Sequence, residues 1–255
     1  MKRNMRVYAP GFLTVTNLML GFSAIVIAAD HGNFQLAAVL IIIASIIDAL
    51  DGKVARFMNS SGEYGRELDS LADIVSFGVA PSYLIYSTCF AGMGRDNGIG
   101  NLLALAITVT PLIFGALRLA RFNLTQVEGE HRDEFAGLPI PVAAVTVASF
   151  VLFNYRIWDR MELTILMIPL VLIVSLLMVS RIRYQTMPRF SFRDTKQNLA
   201  KLVSLLVLIL CLILFKSLAL FPIAIVYIAV GVVRRLREER TENDQEEDTL
   251  NDTVF

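Results

Sequence analysis

The sequence predicts an all-α protein built as a polytopic bundle of transmembrane helices, with about eight spans and six or seven also compatible with the pattern. Three observations carry this. Hydrophobic residues make up 55% of the 255 positions and charged residues only 18%, whereas soluble domains carry about a quarter charged. The apolar residues fall in runs of roughly 18 to 22, the length that crosses a hydrocarbon layer about 30 Å thick. The basic residues also sort to one side of these runs, as membrane topology demands.

The expected spans are 11–29, 34–57, 70–91, 101–121, 138–155, 162–180, 201–216 and 218–233. The first follows the basic start "MKRNMRVYAPG" and reads as a retained span, because its apolar part is too long for a cleavable signal and lacks a small-residue exit. The second lies between "HGN" and an acidic stretch, and the third runs on from that stretch. The fourth follows "GMGRDNGIG". The fifth opens on "GLPIP", whose Pro139 and Pro141 suit a first helical turn. The sixth is bounded by "RIWDRMEL" and "RIRY". The last two are short and are divided by "KSLALFP", which leaves the total open.

With a cytoplasmic N-terminus, the eight-span map leaves only Arg95, Arg156, Arg160 and Lys216 of the 23 Lys and Arg outside. Both termini are therefore expected in the cytoplasm, and the acidic stretch at the cytoplasmic face. Residues 1–236 form the expected transmembrane domain. Residues 237–255, containing "EERTENDQEEDTLNDTVF", form an acidic tail expected to be disordered. The basic loop "RIRYQTMPRFSFRDTKQNLAK" reads as a surface for anionic lipid, with a pure topology signal a close second. Cys89 and Cys211 sit apart in apolar runs and read as small buried hydrophobes. His131 is assigned no role.

The acidic stretch is "DALDGKVARFMNSSGEYGRELDSLAD", residues 48–73. At about 100° per residue, Asp48, Asp51, Gly52, Ala55 and Arg56 share one helical face. Gly65, Asp69, Ala72, Asp73 and Ser76 share another. Four facing carboxylates repel and are costly to desolvate, and hard oxygen ligands suit Mg2+ or Mn2+ better than zinc. Such ions commonly neutralise phosphate in phosphoryl transfer. Arg56 is a natural phosphate partner, and small residues let a ligand approach the backbone. Singly, each aspartate reads as a cap or a solvated charge. Intramembrane carboxylates also serve cation transport, but transport predicts charges spread over several helices at mid-depth.

Written as D-x2-D-G-x2-A-R-x8-G-x3-D-x3-D, the stretch resembles the signature of the CDP-alcohol phosphatidyltransferases. "FLTVTNLMLGF", "SLADIVSFGVAPS", "GALRLARFN" and "FAGLPIPVAA" are similar to the branch of that family that uses serine, so the likeness covers about residues 8 to 145. The resemblance implies transfer of the phosphatidyl group of CDP-diacylglycerol to an alcohol, with release of CMP. It implies that Asp48, Asp51, Asp69 and Asp73 hold divalent ions, two in number, with Asp73 also the general base. Asn17, Gly52, Arg56, Ser61 and Gly65 are implied for CDP-diacylglycerol. Many members carry Ser or Thr six residues after the motif arginine; here Gly62 stands there, with Ser60 and Ser61 before it.

Arg118 and Arg121, three apart, and Asn123 are implied for the L-serine pocket, and the family likeness favours a homodimer among membrane lipids. Basic residues at a helix end also serve as topology anchors. By chemistry alone, glycerol 3-phosphate or inositol remain alternative acceptors.

Overall fold

Helix α1 (Lys2–His31) carries two stripes of opposite character. Thr14, Asn17, Ala24 and Ala28 are buried, and Gly21 lies in the same register; Phe12, Val15, Met19, Phe22 and Val26 are exposed. Both stripes step by three and four residues, the spacing of one helical face. Small residues therefore face the protein and large apolar ones face outward. This suits a helix in lipid, where association depends on close packing rather than on escape from water. Helix α2 (Phe34–Met58) repeats the scheme, burying Ala37, Ile41 and Ala44 and exposing Leu36, Val39, Ile43, Ile46 and Leu50. Asp48 and Asp51 continue its inward register by the next two steps.

This computed structural model describes the backbone of residues 2–58, 63–91, 98–127, 135–184 and 217–252, and the side chains of most of them. After α2 come α3 (Glu63–Asp73), a π-helical segment (Ile74–Val79) and α4 (Ala80–Cys89), which together make one continuous rod. The other described helices are α5 (Gly98–Val127), α6 (Ile140–Trp158), α7 (Thr164–Val179) and α8 (Ser217–Asp252). Helix α1 packs on α2, α2 on α6, α5 on α7 and α6 on α8. Among the described residues, six helices are long and apolar enough to cross a membrane, and Thr164–Val179 is a shorter apolar helix. The architecture is the expected all-α membrane bundle.

Two boundaries differ from the expectation, and one expected span is not described. The third span begins near Tyr64 rather than residue 70, because "EYGRELDSLAD" is rich in helix formers and propagates the helix through the aspartates. The expected span 201–216 lies outside the described residues, as do Ser61, His131, Cys211 and most of the basic loop after Tyr184. Helix α8 runs on to Asp252, so the acidic stretch expected to be disordered is helical as far as that residue. Its Glu- and Arg-rich sequence sets Arg234 before Glu238 and Arg235 before Glu239, the i, i+4 spacing that supports a solvated helix.

Two tight contacts hold the frame. Gly21 crosses the π-helical segment so closely that an added Cβ would lie 2.5 Å from Ser76 Cα, and Ser76 Oγ donates to the Asn17 carbonyl at 2.9 Å. At the other junction, Phe135–Ala136 pairs antiparallel with Arg183–Tyr184. Gly137 N–H donates to Ile182 O and Leu138 N–H to Leu177 O, each at 2.9 Å. Pro139 then caps α6. The "GLPIP" strap is structural, as expected, and Cys89 is a buried free thiol.

Gly137 has φ +87°, and an added Cβ would meet Met178 O at 2.1 Å. Gly137→Ala should cost about 2 kcal/mol or more, read as a lower unfolding midpoint of the detergent-solubilised protein. Gly98→Ala, where an added Cβ meets nothing within 4 Å, should change that midpoint little.

Candidate active site

The inward register of α2 ends at the acidic side chains, and α3 crosses there with its own. One carboxylate oxygen each from Asp48, Asp69 and Asp73 lies within 4.8 Å of the other two. At that separation and an effective dielectric constant near 20, each pair of charges repels by about 3 kcal/mol. The single hydrogen bond that Asp73 accepts, from Asn17 Nδ2 at 3.2 Å, returns about 1.5–3 kcal/mol. That bond and the nearby Arg118 guanidinium stand against three mutually repelling carboxylates, and a hard divalent cation fits the group, which among the described residues is three carboxylate oxygens without sulfur or imidazole.

The fourth aspartate stands slightly apart. Asp51 is 5% exposed and accepts a hydrogen bond from Thr14 Oγ1 through Oδ2, while its Oδ1 is buried without a partner. It remains within electrostatic reach of Asp48 and Asp69. Its free oxygen is available to a second ion or to a water on the first. The expected group of four thus divides into three that converge and one that α1 orients.

Helix α1 contributes more than its sequence announced. Asn17 is fully buried; its amide N–H binds Asp73, its backbone carbonyl binds Ser76, and its Oδ1 has no partner. Thr14 was not singled out from the sequence. Its signal was present in "TVTNLMLG": Thr14, Asn17 and Gly21 step by three and four along one face, a polar and small stripe within an apolar helix. The π-helical segment beginning directly after Asp73 also went unread, since no local residue pattern marks it. Wide turns of this kind often occur at functional sites; here the segment brings Ser76 against α1 just beyond Asp73.

The remaining candidates are placed as follows. Gly52 on α2 and Gly65 on α3 are exposed, and an added Cβ at either meets nothing within 4 Å. The space over both is open to a ligand. Arg56 lies in the last turns of α2, and its side chain is outside the described residues, as is Ser61. Arg118 reaches inward from α5, within electrostatic reach of Asp73, and its Nε is buried without a hydrogen-bond partner. Arg121, one turn on, is exposed, so the structure does not bring it to Arg118. Asn123 Nδ2 donates to Ser70 Oγ at 3.1 Å, and Ser70 Oγ donates to Arg66 O at 3.0 Å. Asn123 therefore fastens α5 to α3 beside the aspartates.

A cavity of about 620 Å3 lies at the far end of the bundle, lined by Gln35, Tyr155, Arg156, Trp158 and Asp159 among others. It is some 20 Å or more along α2 from Asp51 by helical rise, and it has one carboxylate beside one guanidinium. The chemistry is concentrated at the aspartate end.

Comparison with known proteins identifies the family. The profile described as CDP-alcohol phosphatidyltransferase matches residues 7–178. A CDP-diacylglycerol–serine O-phosphatidyltransferase of Helicobacter pylori is 34% identical over 230 residues, covering 89% of this chain and 90% of its own. The Bacillus subtilis protein of the same name is 36% identical over 182 residues, 69% of this chain and 89% of its own. The archaetidylserine synthase of Methanothermobacter thermautotrophicus is 37% identical over 180 residues, 69% and 68%. The matched segment contains Thr14, Asn17, all four aspartates and Arg118, and the chain belongs to the CDP-alcohol phosphatidyltransferase family.

Proposed function

We propose that this membrane protein is a CDP-diacylglycerol–serine O-phosphatidyltransferase, making phosphatidylserine and CMP. The observation that carries the reading is the convergence of Asp48, Asp69 and Asp73 from two neighbouring membrane helices, in a chain whose similar proteins carry serine transferase names over most of its length. A transporter reading is disfavoured because the carboxylates gather at one end of two helices.

Asp48, Asp51, Asp69 and Asp73 hold two Mg2+ or Mn2+ ions. When bound, these supply positive charge for the diphosphate and for the charge that develops on it. The cytidine diphosphate lies over the open surface at Gly52 and Gly65, with Arg56, Ser61 and the free Asn17 Oδ1 as its polar contacts. Arg118 takes the carboxylate of serine. Asn123 supports this pocket by holding α5 to α3, and Arg121 contributes charge at its rim.

Asn17 fixes the Asp73 carboxylate by hydrogen bonding to Oδ1, leaving Oδ2 to accept the proton of the serine hydroxyl. The serine oxygen bonds to the phosphorus that carries diacylglycerol. The bond from that phosphorus to the bridging oxygen breaks, and CMP leaves with the electron pair. The acyl chains stay in the bilayer throughout.

The site faces the cytoplasm and both termini lie there, supported by the distribution of Lys and Arg. Residues 1–236 are the catalytic membrane domain, residues 237–255 a solvated acidic tail, and two copies associate as a homodimer.

In a purified assay with CDP-diacylglycerol and radiolabelled serine, inositol or glycerol 3-phosphate, label should enter lipid from serine; label entering from glycerol 3-phosphate instead would reject the acceptor. Asp73→Asn should lower turnover by about a hundredfold or more while CDP-diacylglycerol still binds. Near-normal turnover would remove Asp73 as the base. Thr14→Val should weaken activation by Mn2+ about tenfold, as loss of a ligand-orienting hydrogen bond does, checked by the metal concentration giving half-maximal rate.

A further inference from the structure

Arg118 leaves a buried Nε donor without a hydrogen bond among the described residues, and a second such donor comes from chain beyond the residues the family profile matches. Tyr184 follows α7 in the short strand Arg183–Tyr184 and is 3% exposed, with its hydroxyl buried and without a hydrogen-bond partner among the described residues. A buried unpartnered hydroxyl costs on the order of a hydrogen bond, so its presence calls for a reason. Its position is tightly set. The ring stacks on Tyr227 of α8, with centroids 5.9 Å apart and planes at 28°. It also lies against Gly231, one turn beyond Tyr227, where an added Cβ would come within 2.2 Å of the ring. Tyr227 in turn is within electrostatic reach of Arg118, and Arg118 of Asp73. A continuous path therefore leads from the candidate base through the guanidinium to the two stacked phenols.

We propose that Tyr184 and Tyr227, both beyond the matched residues 7–178, form the wall of the acceptor pocket and, with Arg118, hold the carboxylate of an amino-acid acceptor. This inference rests on the serine reading above. A carboxylate accepts several hydrogen bonds and is best met by donors on more than one side. Arg118 Nε and the Tyr184 hydroxyl are buried donors without a hydrogen-bond partner among the described residues. Burial and the neighbouring Tyr227 push the Tyr184 phenol up to about 12, so it keeps its proton, and remains a neutral donor, across the physiological range. The two tyrosines after α7 thus add to the acceptor side, where Arg118 comes from within the matched residues 7–178.

The test is steady-state kinetics of the full-length enzyme in mixed micelles, varying serine and CDP-diacylglycerol separately. Tyr184→Phe should raise the KM for serine about tenfold or more, the loss expected for a hydrogen bond to a charged group. The kcat and the KM for CDP-diacylglycerol should stay within about twofold. Inhibition by L-alanine, which keeps the carboxylate but lacks the attacking hydroxyl, should weaken by the same factor. Tyr227→Phe, run in parallel, should show the same split, so the result does not depend on one variant folding. An unchanged serine KM in both variants, or equal losses for both substrates, would overturn the assignment while leaving the enzyme a serine transferase. A wild-type protein active with glycerol 3-phosphate and not with serine would overturn the acceptor reading and this inference together.

Discussion

Mutual repulsion among three carboxylates organises this protein. Asp48, Asp69 and Asp73 are held with oxygens within 4.8 Å, in surroundings where water cannot fully screen them. Such an arrangement is stable only if the helices are locked on their other faces and if positive charge is available at the site. The first condition explains why α1 and α2 meet through alanine and glycine, and why Gly21 and Ser76 come into backbone contact. The second is served by the inward Arg118 and is the role proposed for divalent ions. Fold and chemistry are thus one problem, since the same close packing that aligns the helices also prevents the aspartates from swinging apart.

The site has a clear division of labour. Helices α2 and α3 supply the charge, and α1 supplies orientation through Thr14 and Asn17, which hold Asp51 and Asp73 by one oxygen each. Each aspartate so held has a defined free face. That arrangement suits an enzyme in which one carboxylate must accept a proton while its neighbours stay committed to cations. Helix α5 adds the guanidinium, and α8 brings Tyr227 up behind it. The proposed acceptor end of the site is therefore built from elements far apart in sequence.

The membrane environment inverts the usual logic of a core. Large apolar residues such as Phe12, Phe22 and Ile46 lie exposed, while Thr14, Asn17, Ser76 and Thr146 are buried. Outward Leu and Ile meet lipid tails at no cost, and inward small residues permit the near approach on which helix association in lipid depends. Away from the site, buried hydroxyls bond to carbonyls of their own turn, as Thr146 does with Val142 O at 2.8 Å.

Much of this was written in the linear sequence. The runs of apolar residues fix the helices because only a fully hydrogen-bonded backbone survives in hydrocarbon. The spacing of Asp48, Asp51, Asp69 and Asp73 fixes which helical faces carry charge, since side-chain direction follows from 100° per residue. Local spacing could not say which of the four would converge, because that depends on the crossing of two helices and on Thr14 reaching Asp51 across a third. Nor could it separate Arg118 from Arg121, three residues apart, whose burial is decided by what packs against α5. The π-helical turn after Asp73 and the Tyr184–Tyr227 stack arise from contacts between segments tens of residues apart. Periodicity is a property of one helix, whereas a binding site is a property of how several are held together.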